Sequence, residues 1–243
     1  MVKNAIFGAP SVVVVNVDGF ETERTSRIVG KANLVNYSFR KRAFDVMFSL
    51  CLIVFVFSWL FPIIMLAIII ESGFPVFFFQ DRVGLNGKHF KCFKFRSMKR
   101  TVTTKQGNSH YTPTAKNDAR VTRVGKFLRK TNLDELPQFF NVLKGDMSIV
   151  GPRPHAISFH NKYQEMIEGF DIEQRHLVRP GITGLSQING YRGDVADHYE
   201  NKFRTKTRIR FDILYIEKWT PYLDLHIVFK TFWNMVVQDT KGH

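Results

Sequence analysis

Cysteine is scarce: Cys51 and Cys92 are the only two in 243 residues. One lies in an apolar run and the other in "FKCFKF", with no CxxC pair. A disulfide framework is excluded, and a reducing compartment fits. The eight histidines show no metal-ligand spacing; His155 and His160 stand five apart, off a common helical face. Acids are few beside bases, 21 Asp and Glu against 35 Lys and Arg, giving a net charge of +14 and a pI near 9.9. That balance calls for an anionic partner: nucleic acid, acidic phospholipid or a phosphorylated small molecule. No internal repeat is present. The start, "MVKNAIFGAPSVVVVNVDGF", has a short Val run but neither a long apolar core nor a cleavage site, so it does not read as a signal peptide. Residues 1–38 read as a tail or a loose strand.

Aromatic residues are abundant, 14% of the chain, with 24 Phe against 3 Trp. That weight is heavy for a soluble protein and ordinary for one that touches lipid. From Val46 to Ile70 no residue is charged: "VMFSLCLIVFVFSWLFPIIMLAIII". Some 25 residues at ~1.5 Å each make roughly 37 Å of helix, enough to cross a ~30 Å hydrocarbon layer. Arg40, Lys41 and Arg42 precede the run, and Arg82, Lys88, Lys91, Lys94, Arg96, Lys99 and Arg100 follow it. Cytoplasmic loops collect such cations, so both flanks belong on one side. A straight span cannot satisfy this and a hairpin can. Pro62 supplies a bend, because it lacks an N–H and its ring crowds the Ser58 carbonyl. The expectation is a re-entrant hairpin over 39–72, with a full span as the alternative and the remainder, 73–243, on the cytoplasmic side.

Beyond the run, the pattern predicts a β-hairpin: a strand near 76–80, a turn at Asn86-Gly87 and a strand near 89–95. Its alternating Phe and Lys suit either a nucleic-acid platform or cations snorkelling beside a membrane, and the neighbouring apolar run favours the membrane. Nucleic acid is not the expected partner. Residues 99–118 read as a polar loop. "RVTRVGKFLRKTN" predicts a short basic helix and "LDELPQFFNVLKG" a second, stopping at Gly145. "ISFHNKYQEMIEGFDIEQRHLV" reads as one or two helices, and "RPGITGLSQINGYRGD" as a site-lining loop rather than a core element. "FRTKTRIRFDILYIEKW" spaces Phe203, Phe211, Ile213 and Leu214 among cations, a face suited to acidic headgroups. The last helix opens with Thr220 as cap and Pro221 at its first position. The fold class is α+β: a mainly helical, membrane-associated domain with a small β-hairpin and an N-terminal re-entrant helix.

"TNLDELPQFF" places two carboxylates, Asp134 and Glu135, after a basic stretch. One reading is helix capping, with Asn132 as cap and Glu135 at the capping-box position, or with Asp134 as cap. In either register Asp134 lies at a helix N-terminus, where amides and the dipole gather anions, and Arg129, Lys130 and Arg153 add positive field. That field would keep Asp134 ionised and hold a diphosphate beside it. The other reading is therefore a carboxylate that attacks phosphorus while its neighbour orients a metal.

"KRAFD", the apolar run with Pro62, "KFRSM", "RVTRVGKFLRKTNLDELPQFFNVLKGDMSIVGPRPH", "VRPGITGLSQINGYRGD" and "LDLHIVFKTF" together resemble the bacterial sugar transferase family, the monotopic phosphoglycosyl transferases. The likeness runs from about Arg40 to the C-terminus, in motif order. It implies transfer of a sugar 1-phosphate from a UDP-sugar to undecaprenyl phosphate at the bacterial inner membrane, with Mg²⁺ and release of UMP. The wording of the C-terminal half looks most like the glucose-1-phosphate transferases of exopolysaccharide synthesis. By that resemblance Asp134 is the nucleophile and Glu135 its partner at the metal, with Asp134 also beside it. Arg153 and Arg129 match phosphate-binding positions, Lys94 and Arg96 a basic motif near the site, and Pro62 the helix-breaking proline. Many members have Gly-Trp-Ala-Gln where this chain has "GLSQ", so Leu185 and Ser186 replace that aromatic. Larger members carry an N-terminal bundle of membrane helices; this chain is expected to be the catalytic core with a short tail. The sugar and any self-association are left open by the residues.

Overall fold

The computed structural model describes residues 19–99, 118–157, 172–191, 193, 195 and 197–237. All but the two end residues of the expected polar loop at 99–118, most of the helix expected over 157–178 and the first half of the N-terminal tail lie outside them. Helix α1 spans Gly19–Tyr37, α2 Phe39–Leu52 and α3 Ser58–Ser72, with a π-helical turn Ile53–Phe57 joining α2 to α3. A hairpin follows, β1 Phe77–Val83 and β2 His89–Phe95, then α4 Arg123–Lys130, α5 Gln138–Lys144 and strand β3 Ser148–Val150. Strand β4 Gly181–Thr183, α6 Leu185–Ile188, α7 His198–Lys218 and α8 Pro221–Val236 complete the described elements.

Residues 19–37 form a helix, where the sequence suggested a tail or loose strand. Ile28, Ala32 and Val35 recur at helical spacing and are buried in the common core. So thin a stripe, one of its three members alanine, is easily missed. From Phe39 to Ser72 the chain is helical throughout, and Pro62 sits exposed inside α3. One face of this long helix rests on the domain: Lys41, Asp45, Ser49, Phe57, Phe61, Ile64 and Ile68 are buried. The opposite face exposes Met47, Leu50, Val54, Phe55, Trp59, Ile63, Leu66 and Ile70. Both ends are fastened. Arg42 donates to the Val142 and Leu143 carbonyls at 2.7 and 2.9 Å, closing the C-terminus of α5. Glu71 accepts from the Arg123 and Val124 amides at 2.6 and 2.8 Å, closing the N-terminus of α4.

The hairpin matches its sequence signal. Phe77 pairs with Phe95 and Val83 with His89 in an antiparallel register. Asn86 and Gly87 both take positive φ, 52° and 73°, as a tight turn requires. Along β2, Phe90, Cys92 and Lys94 share one face of the strand, and Phe90 and Cys92 are buried. An aromatic core joins the hairpin to the long helix: Phe57 and Phe61 stack at 4.6 Å, Phe61 meets Phe95 edge-on at 4.8 Å, and Phe57 meets Phe139 at 5.5 Å.

The segment read as a site-lining loop is instead core. Gly181, Thr183, Gly184, Ser186 and Gln187 are buried, and β4 pairs in parallel with β3, Ser148 opposite Gly181 and Val150 opposite Thr183. Its glycines permit close backbone approach: a Cβ on Gly181 would stand 2.1 Å from the Gly151 nitrogen. In α7, Ile209, Ile213 and Ile216 are buried while Phe203 is exposed, so the face read as lipid-facing is divided. Helix α8 opens as expected, with the Thr220 hydroxyl accepting from the Leu223 amide at 3.1 Å and Pro221 next. Its outer stripe, Tyr222, Leu225, Phe229, Phe232 and Trp233, is exposed.

Behind β3 lies a buried polar knot. Lys41 Nζ binds Asp224 Oδ2 at 2.8 Å and the Val150 carbonyl at 2.9 Å. Tyr215 donates to Asp224 Oδ1 at 2.8 Å, and Trp219 Nε1 to Asp224 Oδ2 at 3.1 Å. The start of the apolar helix is thus tied to α7, α8 and the strand that leads into the Arg153 loop.

Candidate active site

Helix α4 is capped by Thr122, whose hydroxyl accepts from the Gly125 amide at 2.8 Å. It ends at Lys130, and Asn132, in the left-handed region at φ 57°, turns the chain into a 3-10 turn at Leu133–Glu135. Helix α5 begins only at Gln138, with Pro137 before it and no side-chain cap. The capping reading of the acid pair therefore does not hold. Asn132 makes no side-chain cap bond, and Asp134 sits one turn ahead of α5 rather than at its mouth. The proline explains this: Leu136 and Pro137 keep right-handed helical angles, but Pro137 has no N–H to donate back, so the hydrogen-bond ladder of the expected single helix is interrupted there.

The pair divides its work. Glu135 is clamped: Lys94 Nζ lies 2.7 Å from Oε1, and Arg153 reaches Oε1 and Oε2 with Nη2 and Nη1 at 2.6 and 3.1 Å. Lys94 comes from the inner face of β2, and Arg153 from the Pro152–Pro154 loop after β3. Asp134, 9% exposed, accepts no hydrogen bond among the described residues. Its acidity follows from that contrast. Burial and then the Glu135 charge push its carboxyl up to about 6, against the pull of Lys94, Arg129 and Arg153. Glu135 moves the other way: burial opposes its ionisation, but Arg153 and Lys94 outweigh it and hold the carboxyl well below the usual range. Asp134 thus feels burial and the Glu135 charge as well as the cationic field expected from the sequence. It remains mostly ionised at neutral pH, about nine-tenths for a pKa near 6, yet it is more basic than an ordinary aspartate.

Arg153 is itself held from behind. Arg175, 1% exposed on its side chain, donates through Nη2 to the Arg153 carbonyl at 2.8 Å. Its Nε and Nη2 also bind Asp212 Oδ2 at 2.9 and 2.6 Å, and Nη1 lies 2.6 Å from His155 Nδ1. Ser186 completes the clamp, donating to Asp212 Oδ1 at 3.3 Å. Burial, then the Arg175 charge, keep His155 neutral, its pKa well below the usual histidine value. The hairpin braces the same loop: Val83 N donates to the His155 carbonyl at 3.1 Å, and Arg82 reaches the Pro154 carbonyl.

Of the residues singled out in the sequence, Asp134, Glu135, Lys94 and Arg153 converge, and Arg129 acts on Asp134 as a half-buried charge from the last turn of α4. Arg96 is turned elsewhere: its Nη2 holds the Ser72 carbonyl and hydroxyl at 2.9 and 2.8 Å, at the C-terminus of α3. Pro62 lies on the long helix and not among these side chains. Sequence reading missed Arg175, Asp212 and His155, which sit far apart in the chain and carry no local mark. No cluster of three or more His, Cys, Asp or Glu able to cage a metal occurs among the described residues.

A helical α+β domain that presents a carboxylate without hydrogen bonds among the described residues, inside a frame of fixed cations, suits chemistry on an anionic, phosphorylated ligand. The chain belongs to the bacterial sugar transferase family, which it matches over residues 36–238. It is 48% identical over 199 residues to the UDP-glucose:undecaprenyl-phosphate glucose-1-phosphate transferase of Klebsiella pneumoniae, covering 82% of this chain and 40% of that protein. It is 41% identical over 205 residues to the exopolysaccharide production protein PSS of Rhizobium leguminosarum bv. phaseoli, covering 83% and 96%. Identity is 42% over 196 residues, covering 80% and 43%, to the UDP-N-acetylgalactosamine-undecaprenyl-phosphate N-acetylgalactosaminephosphotransferase of Aeromonas hydrophila. The chain thus spans about two fifths of the Klebsiella and Aeromonas relatives.

Proposed function

We propose that this protein is a phosphoglycosyl transferase that moves a sugar 1-phosphate from a UDP-sugar to undecaprenyl phosphate, working from the cytoplasmic face of the bacterial inner membrane. The observation that carries the reading is Asp134, buried, free of donors among the described residues and framed by Lys94, Arg129 and Arg153. The names of its relatives supply the substrate class. An Asp134 oxygen attacks the sugar-bearing phosphorus, and the bond from that phosphorus to the bridging oxygen breaks. UMP departs with the bond's electrons, leaving the sugar phosphate esterified to Asp134. An oxygen of undecaprenyl phosphate then attacks the same phosphorus, and Asp134 leaves as a carboxylate. No net proton is needed in either half.

Arg153, fixed by Glu135, can stabilise the phosphate oxygens as charge shifts, and Lys94 and Arg129 add field without having to reorganise. Asp134 and Glu135 Oε2 are the atoms that would hold a Mg²⁺ here: among the described residues Asp134 accepts no hydrogen bond, and Glu135 Oε2 accepts only that from Arg153 Nη1. When bound, the ion neutralises diphosphate charge. Glucose is the proposed sugar, on the wording of several relatives, with galactose or an N-acetylated sugar as alternatives. The exposed apolar face of Phe39–Ser72 is read as the part that enters phospholipid, as a re-entrant element. A nucleic-acid platform is disfavoured, because Lys94 turns inward to Glu135.

The test is a panel of UDP-sugars with undecaprenyl phosphate and purified protein, scored by UMP formed and by a mass adduct on Asp134 with donor alone. UMP from UDP-glucose and an adduct are expected. Robust turnover without an adduct would remove the covalent step, and no UMP from any donor would remove the reading.

A further inference from the structure

Helix α1 precedes almost all of the family match, which begins at residue 36, and it carries a feature the transfer reaction does not use. While Ile28, Ala32 and Val35 face the core, Arg24, Arg27 and Lys31 recur at i, i+3 and i+7 on an outer face. With Lys218, Trp219 and Thr220 they line a groove of about 560 Å³. Glu217 is the one acid in it and lies 3.7 Å from Arg24; no acid among the described residues pairs with Arg27, Lys31 or Lys218. A second groove of about 520 Å³ shares Lys31 and Trp219 with the first, and its wall changes character to Leu34, Tyr37 and Ile216. Each has the size of an ordinary ligand site. The Trp219 ring between them is pinned by its bond to Asp224. Ser38, which caps α2, also lines the second groove, so the apolar half opens where the long apolar helix begins. Tyr37 and Phe39 stand there 85% and 83% exposed.

A cationic groove running into an apolar one is the shape of an amphiphile with an anionic head. Basic clusters beside a membrane segment attract acidic lipid, and exposed aromatic rings favour headgroup depth. We propose that the two grooves seat one anionic phospholipid, its phosphate among Arg27, Lys31 and Lys218 and an acyl chain along Leu34, Tyr37 and Trp219. The inference rests on the membrane reading above. The bound lipid would fix the height at which the start of the apolar helix, and through Lys41 the β3 strand, sits against the bilayer.

The test uses full-length protein and vesicles of phosphatidylcholine alone or with added phosphatidylglycerol, followed by flotation. Wild type is expected to bind both and to gain at least tenfold on the anionic vesicles at low salt. The triple variant Arg27→Gln, Lys31→Gln, Lys218→Gln should lose that gain, keep its binding to neutral vesicles and keep its UMP release in detergent. Native mass spectrometry of extracted protein should show one phosphatidylglycerol per chain, lost in the triple variant and in Leu34→Glu. Equal binding of wild type to both vesicles, or a triple variant that matches wild type, overturns the site. A manyfold rise in KM for undecaprenyl phosphate with phosphatidylglycerol still retained would give the groove to the acceptor and overturn the phospholipid. Failure of wild type to bind even neutral vesicles would remove the membrane reading itself.

Discussion

A carboxylate that accepts no hydrogen bond among the described residues and stands beside a second, clamped carboxylate is held in a state the fold disfavours. Asp134 titrates near 6, above the ordinary aspartate value of 3.8, so the native state binds more protons than the unfolded chain between those pH values. Its contribution to stability is therefore lost as pH rises through that window. Replacing it by an uncharged isostere should relieve the cost, by up to about 3 kcal/mol for a shift of about two units. Asp134→Asn is expected to melt at or above the wild-type temperature at pH 7 and to release no UMP, as thermal denaturation and a UMP assay would show. A variant that turned over normally would end the nucleophile assignment. Activity carries the opposite pH sign from stability, since attack needs the ionised form. kcat/KM should fall about tenfold per unit below pH 6 and level off above it. Glu135→Gln should differ from Asp134→Asn in stability as well. It leaves Lys94 and Arg153 without their shared counter-charge, so it should cost about 1–3 kcal/mol of stability, lower the melting temperature and abolish turnover.

At the scale of elements, the Arg153 loop is a stiff strap between two prolines, and its backbone is held by Arg175 at the one carbonyl of the guanidinium-bearing residue. Arg175 is a positioning residue in this account, and a double variant separates positioning from stability. Arg175→Met alone strands the Asp212 charge in the core and should unfold the protein easily; with Asp212→Leu added, stability should largely return. UMP release should stay well below wild type, with KM for the UDP-sugar still raised, because Arg153 has lost its brace. Recovery of both together would make the pair merely structural. Nothing local in the chain marks this pair: its members are 37 residues apart, as Lys41 and Asp224 are 183 apart. What sequence did reveal was chemistry written locally. Asn86-Gly87 demanded positive φ and produced the hairpin, Gly145 stopped α5 at φ 95°, and Thr220-Pro221 opened α8. Asp134, Glu135, Lys94 and Arg153 were legible through contiguous motifs, although Arg96, two residues beyond Lys94, serves the end of α3 instead. The glycines of "RPGITG" misled for a physical reason: they mark backbone contact as readily as they mark loops. Gly181→Ala would force a methyl against the Gly151 nitrogen and should cost several kcal/mol or prevent folding, about the range of the worst core overpacking. Urea denaturation would check it.

Across the whole molecule, the proposed membrane reading turns on the 34-residue helix from Phe39 to Ser72. At ~1.5 Å per residue it is about 50 Å long, more than enough to cross if it stood free. It does not stand free. Arg42 closes α5 near one end, Glu71 closes α4 near the other, and between them Phe57 and Phe61 are stacked into the aromatic core with Phe95 and Phe139. A path across the hydrocarbon would have to break one set of these contacts, or drag Arg42, Lys41 and the polar loops they hold into lipid. Releasing either charged end leaves orphaned helix carbonyls or amides, each costing on the order of 1–3 kcal/mol once buried, so the fastened helix should stay whole. Entry by the exposed stripe from Met47 to Ile70 needs no such rupture. In sealed inverted vesicles, cysteines placed at exposed Asn33 and at exposed Lys218 should therefore label from the same face with an impermeant maleimide, in a Cys51→Ala, Cys92→Ala background that retains UMP release. A cysteine at Trp59, mid-stripe, should resist the reagent until detergent is added. Labelling of position 33 from one face and 218 from the other would mean that the clamps at Arg42 and Glu71 do not both survive in the membrane, and the helix would then be a span.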